Sequence, residues 1–434
     1  MNSLVLVAIP LAVLSSALAA IRPKVALTLI AFLTALGTFN VLGFFGLDTL
    51  WGMQPGPSKI AFYLFLPGLV VALLLRLRFP ILPRTKHAVA LVLILTISLL
   101  AGVFLAYDQA VAFKAWTGLV RWTVLWGLCV LLLTFEDCKW IIKLWIAFVV
   151  CVNMLYIFSF IGIGQQLAAK SFIIGSHDGR FEIIGQDPNY WATFILVTLT
   201  TLVIWRPWRS GFITSLFSLI MISGGLLTGS RSFLVTLALL SVIVAVKTIR
   251  KRPKMVACRL VSVLLFLFLI AVLSYEFDLI DALDHLYSRG LKQRSEVYLW
   301  SIYNLPKTVL VGLGPENMPL VYDQLRPTGF ITSGSSSHNM YLEVLNAGGI
   351  VPLIVFAAFL VYTLKTCAMR ARIPPLQESD RRFLAAIRWS ILVVMLEGMF
   401  LSLAWINWVW VLLALPFLRH TKHMNMKQEP SLMS

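Results

Sequence analysis

The sequence predicts an all-α polytopic membrane protein, and three observations carry that reading. Of the 434 residues, 59% are hydrophobic and only 13% are charged, whereas soluble domains carry about 25% charged residues. The apolar residues fall in runs near the roughly 20 residues that a helix needs to cross a hydrocarbon core. The polar breaks between most runs are short, which suits helices because each one satisfies its own backbone hydrogen bonds inside lipid.

Taken in order, membrane segments are expected at about 3–20, 25–46, 60–75, 88–106, 116–135, 141–163, 189–205, 211–228, 232–246, 256–274, 340–364 and 389–418. The last run is long and holds Trp405, Asn407 and Trp408 near its middle. It reads as two short crossings or as a crossing with a re-entrant piece, so the total comes to roughly 12–13 transmembrane helices. Residues 1–163 form an N-terminal set of transmembrane helices, 164–420 a second membrane unit, and 421–434 a tail. No basic region precedes the first run, which leads directly into the second, so no cleavable leader is expected.

A formal charge of +17 raises the question of a nucleic-acid partner. Its distribution answers against one. Most of the 36 Lys and Arg fall on alternate connections, including Arg76 to Lys86, Lys247 to Arg259 and Lys365 to Arg388. The positive-inside rule makes those connections and the tail cytoplasmic, so the N-terminus and the long connection at 275–337 face outward. Twelve crossings with both ends inside is the alternative. The five cysteines show neither a CxxC pair nor Cys/His ligand spacing, and so imply neither a disulfide framework nor a metal site.

Polar anomalies concentrate on the outward side. Within the segments, Arg121 and Glu397 read as groups that stabilise the bundle, with mutual pairing as one option. In the connection at 164–188, Asp187 before Pro188 suits a helix cap followed by proline in the first turn. Arg180 and Asn189 are polar groups just above the membrane. Gly229-Ser230-Arg231-Ser232 sits between two apolar helices with almost no loop. An arginine there suits a phosphate, whose oxygens a guanidinium grips in bidentate fashion; a lipid-headgroup snorkel is the plainer reading. The 275–337 connection starts acidic and turns basic through Arg289, Lys292 and Arg294, after which Glu296, Tyr298 and Trp300 suit an interfacial helix. Gly312-Leu-Gly314-Pro315 lacks the strand–turn–helix setting of a nucleotide loop and reads as a turn.

The run Ser333-Gly-Ser-Ser-Ser-His338-Asn339 then leads into an apolar stretch. Its serines or His338 are expected to cap a membrane helix that starts at once. A helix start favours anions and disfavours imidazolium, leaving His338 neutral as a general base must be. The competing reading is a histidine that only caps.

The ordered set of Arg180 with Asp187-Pro-Asn189, Gly-Ser-Arg231, Arg294-Ser-Glu296, Gly-x-Gly and His338-Asn339-x-Tyr341-Leu-Glu343 resembles the bacterial O-antigen ligase and polysaccharide polymerase superfamily over roughly residues 170–400. The resemblance implies a GT-C-like helical fold in the bacterial inner membrane. It also implies transfer of a glycan from undecaprenyl pyrophosphate to a sugar hydroxyl at the periplasmic face, with no cofactor or metal. By motif, His338 matches the histidine that activates the acceptor. Arg231 and Arg294 match the arginines that bind pyrophosphate, with Arg289 as a rival for the loop position. Arg180, Asn189 and Asn339 match substrate-binding positions. The tryptophan usual in the Arg-x-Glu-x-Trp pattern is Tyr298 here. The acceptor is either the lipid A core or another lipid-linked glycan.

A transporter or flippase of lipid-linked sugars is the competing class. It would place its ionisable groups at mid-membrane, whereas here they gather at the outer edge. If the 275–337 connection is periplasmic, Ser335→Cys should react with an impermeant thiol reagent in intact cells and a cysteine at 248–254 should be protected. The reverse pattern would overturn the topology.

Overall fold

The computed structural model describes residues 3–34, 57–76, 83–160, 174–177, 180–183, 187–208, 210–249, 295–304, 309–325, 337–373 and 376–419. It is a multi-spanning helical membrane protein. α1 (Ser3–Ile21) and α2 (Pro23–Thr34) meet at 116°; Pro23 opens α2 at the position where a missing N–H costs nothing. α3 (Pro57–Arg76) packs along α1, and α4 (Pro83–Phe104), α5 (Gln109–Leu132) and α6 (Phe135–Phe160) follow. A two-stranded antiparallel hairpin, β1 (Ile174–His177) with β2 (Arg180–Ile183), precedes α7 (Pro188–Trp205). α8 (Gly211–Leu227) and α9 (Arg231–Ile249) come next.

Within the long connection, residues 295–303 are helical and form α10. α11 (Met318–Leu325), α12 (Met340–Gly348), α13 (Ile350–Arg370), α14 (Glu378–Glu397) and α15 (Asn407–Ala414) complete the order. Among the described residues, five helices are long and apolar enough to cross a membrane, or six if the bent α1–α2 pair is one span. Shorter apolar helices lie at Lys59–Leu75, Gly211–Leu227, Arg231–Ser241 and Asn407–Phe417. The expected segment at 256–274 lies outside the described residues.

α7 is the central helix. It is apolar on all sides and buried along most of its length, as a helix without a lipid face must be, and α14, α8, α6 and α9 pack around it. The outer helices instead turn side chains such as Ile97, Ile354 and Val361 outward, which suits a lipid-facing surface. Asp187 caps α7 by accepting from the Asn189 N–H, with Pro188 in the first turn, as the sequence implies.

One long-run expectation is met and another is revised. As expected of the last run, 389–418 is not continuous: α14 ends at Glu397, a 3₁₀ turn covers Leu403–Trp405, and α15 runs back. Its end returns to the level of the α4, α6 and α13 termini. There the Arg370 guanidinium donates to the Pro416 carbonyl at 2.7 Å, and the Phe135 N–H donates to the Arg419 carbonyl at 2.9 Å. Ion pairs tie the same end together, Lys24 with Asp137 at 2.9 Å and Lys139 with Asp380 at 2.5 Å.

Nor does the membrane helix after His338 start at once. α12 is a separate helix of 9 residues, and α13 begins at Ile350. Gly349 makes the break with φ +84° and ψ −163°, a backbone region open essentially to glycine alone. A Cβ at Gly349 would also collide with the Leu310 carbonyl. Gly349→Ala should therefore destabilise the protein by at least about 1–3 kcal/mol, read as a lower melting temperature of the detergent-purified protein; unchanged melting would contradict the strain.

Candidate functional site

The site grows from the last turn of α14. A helix end leaves carbonyls without intrahelical partners, and inside a membrane protein they need partners from the protein itself. Three consecutive residues bond the last turn and the turn just beyond it. The Tyr341 hydroxyl donates to the Met395 carbonyl at 2.9 Å, the Met340 N–H to the Gly398 carbonyl at 2.6 Å, and Asn339 Nδ2 to the Met399 carbonyl at 3.0 Å. The Tyr298 hydroxyl, from α10, lies 3.2 Å from the same Met399 carbonyl and 3.3 Å from the carbonyl of His338.

These contacts hold His338 in an unusual place. Its φ is +43°, a left-handed conformation that costs an L-residue about 1–2 kcal/mol, and its side chain is half-buried. The expected cap is corrected at the same point. Asn339, rather than His338 or the serines, caps α12, with Oδ1 accepting from the N–H groups of Tyr341 and Leu342. Asn339 sits in extended backbone at φ −149°, the geometry of a capping residue, whereas the left-handed turn at His338 does not suit that role. Both ends of the Asn339 amide are thus engaged within the protein.

α12 presents Glu343, Asn346 and Ala347 at helical spacing on one face, and that face walls a cavity of about 330 Å³. Ser402, Trp405 and Ile406 from the broken α14–α15 connection form the second wall, and Gly314, Glu316 and Met318 the third. Ser337, beside His338 in the chain, and Tyr190, beside Asn189, also line it. The third wall is clamped in place. The Leu313 N–H donates to the Asn346 carbonyl, the Tyr107 N–H to the Leu313 carbonyl, and the Asp108 N–H to Asn317 Oδ1 at 2.7 Å. The Gly312–Pro315 turn therefore serves as packing, with Gly312 at φ +73° pressed against the Gly348 backbone.

Polar atoms in this cavity are left without protein partners. Glu343 Oε2, Asn346 Nδ2, Ser402 Oγ and Trp405 Nε1 are all enclosed and unbonded. Burial pushes the Glu343 carboxyl well above the usual carboxylate range, and the nearby Glu316 adds to this. Ser402 and Trp405 oppose it by approaching the carboxyl without completing a hydrogen bond. Burial likewise lifts the Tyr341 phenol to about 12, so it remains a donor to Met395.

Asn189, Arg180 and Arg231 lie around this end of the bundle. Asn189 opens α7, its amide donating to Asp187 Oδ1 at 2.8 Å. One turn on, the Thr193 hydroxyl lies 3.0 Å from the Asn189 carbonyl and 3.2 Å from Glu397 Oε2. Arg180 is on β2, which packs against α7. Arg231 is the first residue of α9, after the tight turn at Gly229 with φ +63°. Arg289 and Arg294 lie outside the described residues. Glu397 does not pair with Arg121: that guanidinium stands 4.4 Å over the Trp122 ring and 3.3 Å from the Tyr63 hydroxyl, a cation–π setting that suits an arginine in an apolar layer. No group of three His, Cys, Asp or Glu suited to a metal occurs among the described residues.

Comparison with known proteins bears on the same elements. Residues 189–357 match the family model described as O-antigen ligase. The match covers less than half of the chain, running from the start of α7 into α13. It includes Asn189, Arg231, Arg289, Arg294, His338, Asn339 and Glu343, and stops before Ser402 and Trp405. No curated protein matches the chain significantly. The match supports enzymatic, glycan-transferring activity in a multi-pass membrane protein.

In the sequence Glu343 stands in the motif without a role, Trp405 marks only a break in the last run, and Asn346 and Ser402 carry no assignment. The spacing of Glu343, Asn346 and Ala347 was a usable signal; nothing local marked Ser402. Tyr298 emerges as the group that positions the His338 turn. Tyr298→Phe should lower kcat by about tenfold to 100-fold, the scale of a small misplacement of a reacting group, with KM and expression little changed. An unchanged kcat would mean the hydroxyl is dispensable.

Proposed function

We propose that the protein transfers an oligosaccharide or polysaccharide from undecaprenyl pyrophosphate to a sugar hydroxyl at the periplasmic face of a bacterial inner membrane, as an O-antigen ligase or polysaccharide polymerase. The observation that carries this is His338, held in a left-handed turn at the same end of the bundle as Arg231 and Asn189, within the stretch that matches the ligase family.

In this reading His338 accepts the proton of the acceptor hydroxyl as the oxygen attacks the anomeric carbon of the donor glycan. The bond from that carbon to the pyrophosphate oxygen breaks, and undecaprenyl pyrophosphate leaves with the bonding pair. Arg231 meets the departing charge, and the partial positive charge of the α9 start adds to the guanidinium. Arg294, or Arg289 in its place, supplies the second positive group from the loop. Arg180 and Asn189 flank the donor. Stabilisation of the leaving group by guanidinium removes the need for a metal, so transfer is expected to proceed in EDTA. The acceptor is the lipid A core or a second lipid-linked glycan.

The test uses purified protein with a lipid-linked oligosaccharide and acceptor. His338→Ala should lose about 10²–10⁴-fold in turnover while still inserting and binding donor. Arg231→Ala should weaken donor binding as well, and Arg231→Lys should restore it only in part, since lysine lacks the two-pronged geometry. His338→Asn is the discriminating variant, because asparagine tolerates the left-handed backbone and leaves Asn339 to cap α12. Near-full activity in His338→Asn would remove the histidine from the chemistry.

A further inference from the structure

We propose that the cavity between α12, the Leu403–Trp405 turn and the 309–319 segment is a saccharide subsite that holds one sugar ring of the glycan, with Glu343, Asn346, Ser402 and Trp405 engaging its hydroxyl groups. This rests on the glycan-transfer reading and goes beyond it by assigning residues that the family match does not reach, since Ser402 and Trp405 lie outside residues 189–357.

Four facts point to this ligand chemistry. First, the polar atoms are buried and poorly satisfied: Asn346 is 2% exposed and Ser402 6%, Asn346 Nδ2 has no protein partner, and Ser402 Oγ and Trp405 Nε1 reach the Glu343 carboxyl without full hydrogen-bond geometry. Buried polar groups are nearly always bonded, so a cluster of exceptions around one cavity calls for an occupant. Second, the set mixes donors with acceptors. An indole N–H and an amide NH₂ only donate, a hydroxyl does both, and a carboxyl accepts when ionised and also donates when protonated. Sugar hydroxyls match such a set because each one donates and accepts. An anion would meet Glu343 and Glu316, and a cation would face the Asn346 and Trp405 donors.

Third, the volume of about 330 Å³ is at the lower end of the range for small-molecule sites, roughly 300–1,000 Å³, which suits one ring rather than a long chain. Met318, Tyr190 and Trp405 add apolar surface for the C–H faces of a ring. Fourth, the place is right. Ser337 and Tyr190 bring the cavity lining next in sequence to His338 and Asn189, so a ring seated here lies at the same end as the reacting groups. The high carboxyl pKa of Glu343 agrees, because a protonated carboxyl can donate to a sugar oxygen as well as accept.

The test measures binding of free sugars by the full-length protein in detergent, using saturation-transfer NMR with glucose, galactose, mannose, rhamnose, N-acetylglucosamine and N-acetylgalactosamine as probes. At least one should bind saturably. Ser402→Ala and Trp405→Phe each remove one polar group and keep most of the packing, and each should weaken that binding about tenfold with the melting temperature retained. Asn346→Leu, which fills the same space without a donor, should abolish it; if this variant misfolds, the first two decide.

No binding by any of the sugars, or equal binding by the wild type and both well-folded variants, would overturn the subsite and leave the cavity to water. His338→Ala should keep sugar binding, so failure of the transfer mechanism and failure of the subsite are read separately. In the transfer assay, a raised KM for the lipid-linked donor in Ser402→Ala would assign the ring to the donor glycan, and a raised KM for the acceptor would assign it to the acceptor.

Discussion

The carbonyls at the end of α14 are the constraint on which the site depends. A helix that stops inside a membrane bundle leaves acceptors that water does not reach freely, and each one left unbonded costs about 1–3 kcal/mol. Here the turn around His338 satisfies Met395 in the last turn and Gly398 and Met399 just beyond it, through Tyr341, Met340 and Asn339, with Tyr298 joining from α10. The same bonds that complete α14 therefore set the position of the histidine. They also over-determine its left-handed backbone, which would be disfavoured in isolation.

That arrangement explains why His338, Asn189 and Arg231 sit at one end of the helices. α7 is buried on nearly all sides and fills the centre with apolar packing, such as Phe194 against Trp408 and Trp145. A polar site in that layer would need every group satisfied. At the bundle end the helices break, at Gly349 and after Glu397, and the resulting backbone irregularity surrounds a cavity rather than lipid, where it is tolerated. The opposite end is stitched by ion pairs and main-chain bonds among α2, α6, α13, α14 and the segment after α15. One end is closed by these contacts, and the other holds the cavity.

Several features were legible in the residues because a local rule decides them. Apolar runs of membrane length announce the class, since lipid permits few other structures. Asp187-Pro188 marks the start of α7, because an acceptor side chain and a missing N–H both suit a first turn. Gly312–Pro315 reads correctly as a turn. The order of Asn189, Arg231 and His338 pointed to one side of the membrane, and the structure brings them to one end of the bundle.

Other features depend on neighbours distant in the chain, and no local pattern encodes them. His338 and Asn339 are adjacent and both able to cap; which one does so follows from backbone angles imposed by bonds to Met399, 60 residues away. Arg121 and Glu397 look complementary in the sequence, yet aromatic rings take the first and Thr193 approaches the second. Ser402 carries no signal in a run of apolar residues until the break after Glu397 folds it against Glu343 and Asn346. The membrane class, the cap of α7 and the Gly312–Pro315 turn follow from the residues alone, because hydrophobicity and backbone preference act over a few residues. Only the tertiary structure decided which polar groups share a cavity, because that depends on how helices far apart in the chain come to rest against one another.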